Sequence, residues 1–223
     1  DLHNWSIKHK NEFWSNVWNF TNFVGEKKGK IFKSAPEFTK NKFFDECNIN
    51  YTENCLTRED DDNSIIFHSE KKIKRKYSWR ELRCAVFKFA NYLKNNNIKK
   101  NDRIAAILPN IPETVISFLS AAQLGSIWSS CSSDFGKKAI IDRFKQIEPK
   151  VLLFSDYYFY NNKKVDTTKV IKDVIDNIPS IEKIILIPYE FNKTDYQLNF
   201  KYDNLYNILQ QEIEYKKFEK FKF

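Results

Sequence analysis

The 223-residue sequence contains no methionine, four glycines, six arginines and three histidines, and each scarcity excludes a class of function. Gly25, Gly29, Gly125 and Gly136 do not fall at the spacings of a GxGxxG turn or a Walker loop, so neither kind of phosphate cradle lies within these residues. Cys47, Cys55, Cys84 and Cys131 include no CxxC pair, and His3, His9 and His68 do not complete a zinc pattern with them. No metal site is therefore expected. Four cysteines without a signal peptide predict reduced thiols and a cytoplasmic location. The longest apolar runs, such as Ile104 to Leu108 and Ile184 to Ile187, fall far short of the ~20 residues that cross a bilayer, so no membrane segment is expected.

What is present is a globular composition. With 42% apolar and 16% aromatic residues the chain is too hydrophobic for a disordered tail, and at this length it buries about 70% of its unfolded surface. The formal charge of +8 is carried by 31 lysines against only six arginines, in a sequence also rich in Asn, Ile, Phe and Tyr. That joint bias is what AT-rich coding imposes, and Arg, the better reader of bases and phosphates, is scarce, so no nucleic-acid partner is expected. The densest basic run, Lys71 to Lys76, precedes a strong helix start and reads as a solvated connector.

Along the chain, residues 1–60 read as an N-terminal helical cap or appendage, opened by one helix whose aromatic face is Trp5, Phe13, Trp14, Val17, Trp18 and Phe20. From Gly25 to Asp62 the periodicity fades into an irregular polar segment. Residues 61–223 read as α/β. Ile65 to His68 and Lys74 to Tyr77 are short strands, and Ser78 with Glu81 forms a capping box before the stripe Leu82, Ala85, Val86, Phe89, Ala90 and Leu93. Ile104 to Leu108 is a strand buried on both faces; Pro112 opens the next helix and Gly125 closes it. Strands at 126–130, 151–154 and 183–187, with helices at 137–146 and 167–177, continue the alternation. The expected fold class is α/β, a parallel sheet of βα units with helices on both faces.

In such a sheet ligands gather beyond the carboxyl ends of the strands. The loop Cys131-Ser132-Ser133-Asp134-Phe135-Gly136 is small, polar and ends in glycine, so a ligand could approach its backbone N–H groups, but the chemistry of these residues alone favours an Asp134 that simply caps the helix beginning near Lys137. The Ser-Cys-Ser run has no histidine nearby to activate a nucleophile.

Leu108-Pro109-Asn110-Ile111-Pro112-Glu113-Thr114, Ala121 to Gly136 with its Trp128-Ser129-Ser130-Cys131-Ser132-Ser133-Asp134-Phe135-Gly136 string, Asp142-Arg143-Phe144, and Gln146 to Leu152 together resemble the acyl-CoA synthetases of the adenylate-forming superfamily, in particular their acetoacetate–CoA ligase branch. Trp5 to Trp18 resembles the N-terminal helical cap of that group, and Asn48 to Leu56 the segment leading into its large domain. Ser133 departs from the family pattern, which has Pro there.

The resemblance implies a two-step ligase: acetoacetate and ATP, with Mg2+, give acetoacetyl-AMP and pyrophosphate, and CoA then displaces AMP. Phe218 to Phe223 resembles the segment that runs into the strand before the family's ATP phosphate loop, so a truncated, inactive N-terminal fragment is expected, with no catalytic residue present and the remainder of the ligase chain as its partner. By the same resemblance Ser132, Ser133 and Asp134 fall on the pantetheine path of CoA. Tyr160 and Lys163 fall where the family sets basic residues against the CoA nucleotide phosphates; for Asn161 to Lys164 an ordinary polar turn is the alternative. Two other readings remain at this point, a ligase for another short-chain acyl group and a non-catalytic module that binds CoA or another phosphate-bearing ligand.

Overall fold

The computed structural model describes residues 1–70, 73–191, 196–213 and 217–222; Lys71 and Lys72 of the basic run and Phe223 of the closing segment lie outside them. The chain forms two compact units, residues 1–57 with 217–223, and residues 58–216.

In the first unit the opening helix is two helices, α1 (Leu2–Lys8) and α2 (Lys10–Phe20), broken at His9, whose φ of −119° and ψ of 53° are not helical. The break seats Trp5 edge-on to Phe13 with ring centroids 5.5 Å apart, while Trp14 meets Phe43 and Trp18 lies between Phe23 and Phe44. Phe20 does not join this face. It is 88% exposed, because two residues beyond Trp18 is roughly 200° around an α-helix.

The segment expected to be irregular carries four two-residue strands, β1 (Gly25–Glu26), β2 (Phe32–Lys33), β3 (Lys42–Phe43) and β4 (Asn48–Ile49), and the short helix α3 (Tyr51–Cys55). β1 pairs with β4 and β2 with β3, both antiparallel. Gly25 is required here, since a Cβ would lie 2.9 Å from both Trp18 and Ile49.

The second unit begins with an antiparallel hairpin, β5 (Asn63–His68) and β6 (Lys74–Ser78), followed by α4 (Trp79–Asn95). The capping box forms as expected. Ser78 Oγ accepts from the Glu81 N–H at 3.2 Å, and Glu81 Oε2 accepts from the Ser78 N–H at 2.8 Å. Then come β7 (Arg103–Ile107), α5 (Pro112–Gln123), β8 (Ile127–Cys131), α6 (Lys137–Lys145) and β9 (Val151–Ser155). Gly125 ends α5 at φ +67°, letting the Ser126 and Gly125 N–H groups reach back to the Ala121 and Ala122 carbonyls. Asn97 at φ +61° closes α4 in the same way, with Ile98 and Asn97 donating to Leu93 and Lys94.

After β9 the chain forms β10 (Tyr157–Tyr160), β11 (Lys163–Asp166), α7 (Thr168–Asn177), β12 (Lys183–Ile187), β13 (Asp203–Asn204) and α8 (Leu205–Leu209). The last strand, β14 (Phe221–Lys222), pairs antiparallel with β4 of the first unit.

Strands β13, β12, β9, β7 and β8 lie side by side in that order, all parallel. Counted along the chain this is the order 2-1-3-4-5, a doubly wound sheet that reverses between β7 and β9. Ala105, Ile107, Leu152, Phe154 and Leu186 on one face of the sheet pack with Ile140 and Phe144 of α6 and Ile171, Val174 and Ile178 of α7. The alternate residues Ile104 and Ala106 are equally buried on the other face. On that side α4 packs with α5 and α8, and the Ser120 hydroxyl joins two of them by donating to the Val86 carbonyl at 3.0 Å. The α/β class and the parallel sheet covered on both faces are thus as the sequence indicates.

Phe144 is fully buried where α6, α7 and the sheet meet. Phe144→Ala should lower unfolding free energy by about 3–5 kcal/mol, measured by chemical denaturation, because the ring's contacts are lost and a cavity remains.

Candidate functional site

The carboxyl ends of β7 and β9 flank the point where strand order reverses, and a cleft of about 180 Å³ opens there. Its floor includes Ile107 at the end of β7 and Ile140 and Ile171 from the two covering helices. One wall is Ser133-Asp134-Phe135 from the loop after β8; the other is Tyr158, Val165, Asp166 and Thr167 from the β10–β11 hairpin and its exit.

The loop after β8 is not a helix cap. The N-cap of α6 is Gly136, which makes no side-chain capping bond, and Asp134 lies two residues ahead of it, so the capping reading of Asp134 is overturned. Asp134 and Ser132 are exposed, whereas Ser133 Oγ is buried and meets no hydrogen-bond partner among the described residues. Ser133 lines the cleft as a residue, and its hydroxyl has an unused capacity to donate or accept a hydrogen bond. Burial pushes the Cys131 thiol up, only partly opposed by Arg143, so it stays protonated near neutral pH and gives the Ser-Cys-Ser run no nucleophile. All four cysteines are free thiols. Among the described residues no cluster of three His, Cys, Asp or Glu side chains is placed to hold a metal.

The segment after β9 is a two-residue hairpin. Asn161 and Asn162 both adopt left-handed φ values, +47° and +59°, which give the type I′ twist that joins antiparallel strands tightly. Tyr158 pairs across the hairpin with Val165, and Tyr160 with Lys163. Because strand side chains alternate between faces, these four share one side, the side that walls the cleft. Tyr157 and Phe159 point the other way and pack on Tyr189, at ring-centroid distances of 5.2 and 5.5 Å. Lys164 follows them, its ammonium 3.7 Å from the centre of the Tyr157 ring. The turn is held from outside by Glu70, whose Oε2 accepts from the Asn162 N–H at 2.8 Å.

All five sequence-derived positions therefore lie at one end of the sheet. Ser133 and Asp134 line the cleft beside Ser132, while Tyr160, 69% exposed, and exposed Lys163 stand at the hairpin tip. Tyr158, Val165 and Thr167 were not singled out from the sequence. The signal for them is the Tyr-Tyr-Phe-Tyr and Lys-Lys-Val-Asp pair around Asn-Asn, two extended segments joined by residues that tolerate positive φ. Burial pushes the Tyr158 phenol above its usual range, and the Asp134 carboxylate across the cleft adds to the shift, so this wall keeps a neutral hydroxyl.

A doubly wound sheet with a polar loop and a hairpin at its reversal point matches the AMP-binding enzyme family over residues 53–211, and the chain belongs to that family. Within it, the chain is similar to the acetoacetyl-coenzyme A synthetase of Rhizobium meliloti (strain 1021), 35% identical over 188 residues, 84% of this chain and 29% of the relative. It is also similar to the acetoacetyl-CoA synthetase of Xenopus tropicalis, 33% identical over 202 residues, 86% of this chain and 29% of the relative. A solved acetoacetyl-CoA synthetase from Streptomyces lividans superposes with a TM-score of 0.90 at 26% identity, covering 99% of this chain and 34% of its own. The chain thus spans less than a third of the length of the curated relatives it matches.

The hairpin geometry is testable by itself. Asn162→Val places a β-branched residue at positive φ and should destabilise the hairpin by about 1–2 kcal/mol, whereas Asn162→Gly should leave it intact or firmer. Loss of the cross-strand nuclear Overhauser effects between Tyr160 and Lys163 in the Val variant alone is the expected result.

Proposed function

We propose that this chain is the N-terminal part of an acetoacetate–CoA ligase and that its own share of the work is to receive CoA. The observation that carries the reading is the common placement of two separate segments. Ser133 and Asp134 of the loop after β8 and Tyr158 of the hairpin border one cleft at the sheet's reversal point, with Tyr160 and Lys163 on the same hairpin face beyond it, although 23 residues of sequence lie between Asp134 and Tyr158.

The chemistry is two displacements. An acetoacetate carboxylate oxygen attacks the α-phosphorus of ATP, which enters as its Mg2+ complex, and the phosphorus–oxygen bond to pyrophosphate breaks. The CoA thiolate then attacks the acyl carbon of acetoacetyl-AMP, and AMP leaves with the bonding pair. In this reading Ser132, Ser133 and Asp134 border the pantetheine arm, with the Ser133 hydroxyl offering a bond to one of its amides. Lys163 faces the nucleotide phosphates as a point charge, and Tyr160 beside it supplies an aromatic face in place of a second cation. The cleft floor is apolar, as Ile107, Ile140 and Ile171 require, which suits the methylene run of a pantetheine. Four free thiols fit a cytoplasmic enzyme. The remaining ligase chain would supply the phosphate loop, which the four glycines here cannot form.

Two measurements test this. The isolated chain should show no acetoacetate-dependent exchange between ATP and pyrophosphate; exchange above a protein-free control would overturn the division of labour. In calorimetric titrations of the chain with CoA, Lys163→Ala should weaken binding by about 0.5–1.5 kcal/mol, a loss that shrinks at high salt because exposed charge pairs are screened over ~8–10 Å. Unchanged affinity at low salt would remove Lys163 from the site.

A further inference from the structure

A buried charged pair, Arg75 with Glu113, lies outside the cleft. Glu113 is the second residue of α5, directly after the loop that leaves β7, and its carboxylate is fully buried. Arg75 of β6 reaches it with Nη1 at 2.5 Å from Oε1, and the Tyr77 hydroxyl donates to the same oxygen at 3.0 Å. The guanidinium lies against two rings, Phe67 of β5 at 5.1 Å and Phe191 of the loop after β12 at 5.8 Å. One cation thus fastens three elements, the β5–β6 hairpin, the start of α5 and the loop 188–191.

That loop carries Tyr189. Its ring touches Phe67 as well as Tyr157 and Phe159, on the back of the hairpin strand whose front presents Tyr158 to the cleft. A continuous set of packed side chains therefore runs from Arg75 to the cleft wall. Glu113 reaches the same cleft from the other side, since loop 108–111 joins it to Ile107 on the floor.

Energetically the pair is poorly suited to holding a fold. Burying an ion pair removes the hydration of both charges, and their attraction repays this only when the remaining donors and acceptors are also satisfied. Here Arg75 Nε and Nη2 and Glu113 Oε2 are buried and have no hydrogen-bond partner among the described residues. Neutral side chains of similar volume would cost the unit little global stability, but they would lose the planar guanidinium contacts that orient the loops. We propose that Arg75 and Glu113 are positioning residues for the ligand-facing end of the sheet. They set loops 108–111 and 188–191, and through Tyr189 the β10–β11 hairpin, in the geometry that receives CoA. The ligand side of this inference rests on the functional reading above; the loop-setting side does not.

The test is the double variant Arg75→Met with Glu113→Gln, in which glutamine still accepts from Tyr77. Its melting temperature should stay within about 3 °C of the parent or rise. Amide hydrogen exchange at Ile111, Tyr189 and Phe191 should accelerate at least fivefold, with the core amides of β9 unchanged, and CoA affinity should fall at least fivefold. Exchange at those loops that stays at the parent rate, or that rises together with the core while the melting temperature falls, would overturn the inference and leave a merely structural pair. If the parent chain binds no CoA at all, the functional reading fails, and loop exchange still decides the positioning role. Arg75→Lys keeps the charge and loses the planar contact with Phe67 and Phe191, so it should give the same local acceleration should the double variant not fold.

Discussion

The reversal of strand order between β7 and β9 is the constraint on which the rest of this structure depends. A parallel sheet cannot be closed by tight turns, so each strand is followed by a crossover, and right-handed crossovers on either side of a reversal pass over opposite faces. The chain leaves β7 through α5 on one face and returns to β9 through α6 on the other, so the loops above β7 and β9 diverge and cannot fill the space between them. A cleft at that position is a consequence of topology. What the sequence chooses is what lines it, and it places three isoleucines below and polar side chains at the mouth.

The same topology explains how charge is distributed. All six arginines are engaged within the chain. Arg58, Arg80 and Arg83 pair with the acidic run Glu59 to Asp62, Arg75 with Glu113, Arg103 donates to the Ile147 and Glu148 carbonyls, and Arg143 lies over the Phe135 ring. The exposed pairs among these add little stability. Their larger effect is to leave the outward positive charge to lysine, a strongly hydrated point charge. Lys163 at the hairpin tip is a residue of this kind, while Lys164 beside it is turned back onto Tyr157.

How much of this was legible in the sequence follows from how far each signal reaches. Ser78 with Glu81, Pro112 and Gly125 fix helix ends through bonds between residues a few positions apart, and the structure places those ends where the sequence puts them. The five-residue run Ile104 to Leu108 is buried throughout and reads as such. The two-residue strands of the first unit have no period to detect, and the break at His9, which lets Trp5 meet Phe13, has neither proline nor glycine to announce it. At the site, the loop 132–136 stood out because its small polar residues and Gly136 are unusual before a helix. The hairpin walls did not, because four aromatic or lysine-rich residues on either side of Asn-Asn look like a polar turn until register assigns alternate side chains to opposite faces.

That alternation separates two roles that a loop would have had to combine. On a loop, the residues that fix conformation and those that meet a ligand compete for the same backbone. In β10 the odd-numbered residues, Tyr157 and Phe159, lock onto Tyr189, so Tyr158 can stand against the cleft and Tyr160 can remain exposed without loosening the strand. The Asn161-Asn162 turn keeps the register, since a slip of one residue would exchange the two faces and take the Lys164 ammonium off the Tyr157 ring. With the register held by the turn and by the packing of Tyr157 and Phe159, the face bearing Tyr158 and Val165 stays directed at the cleft.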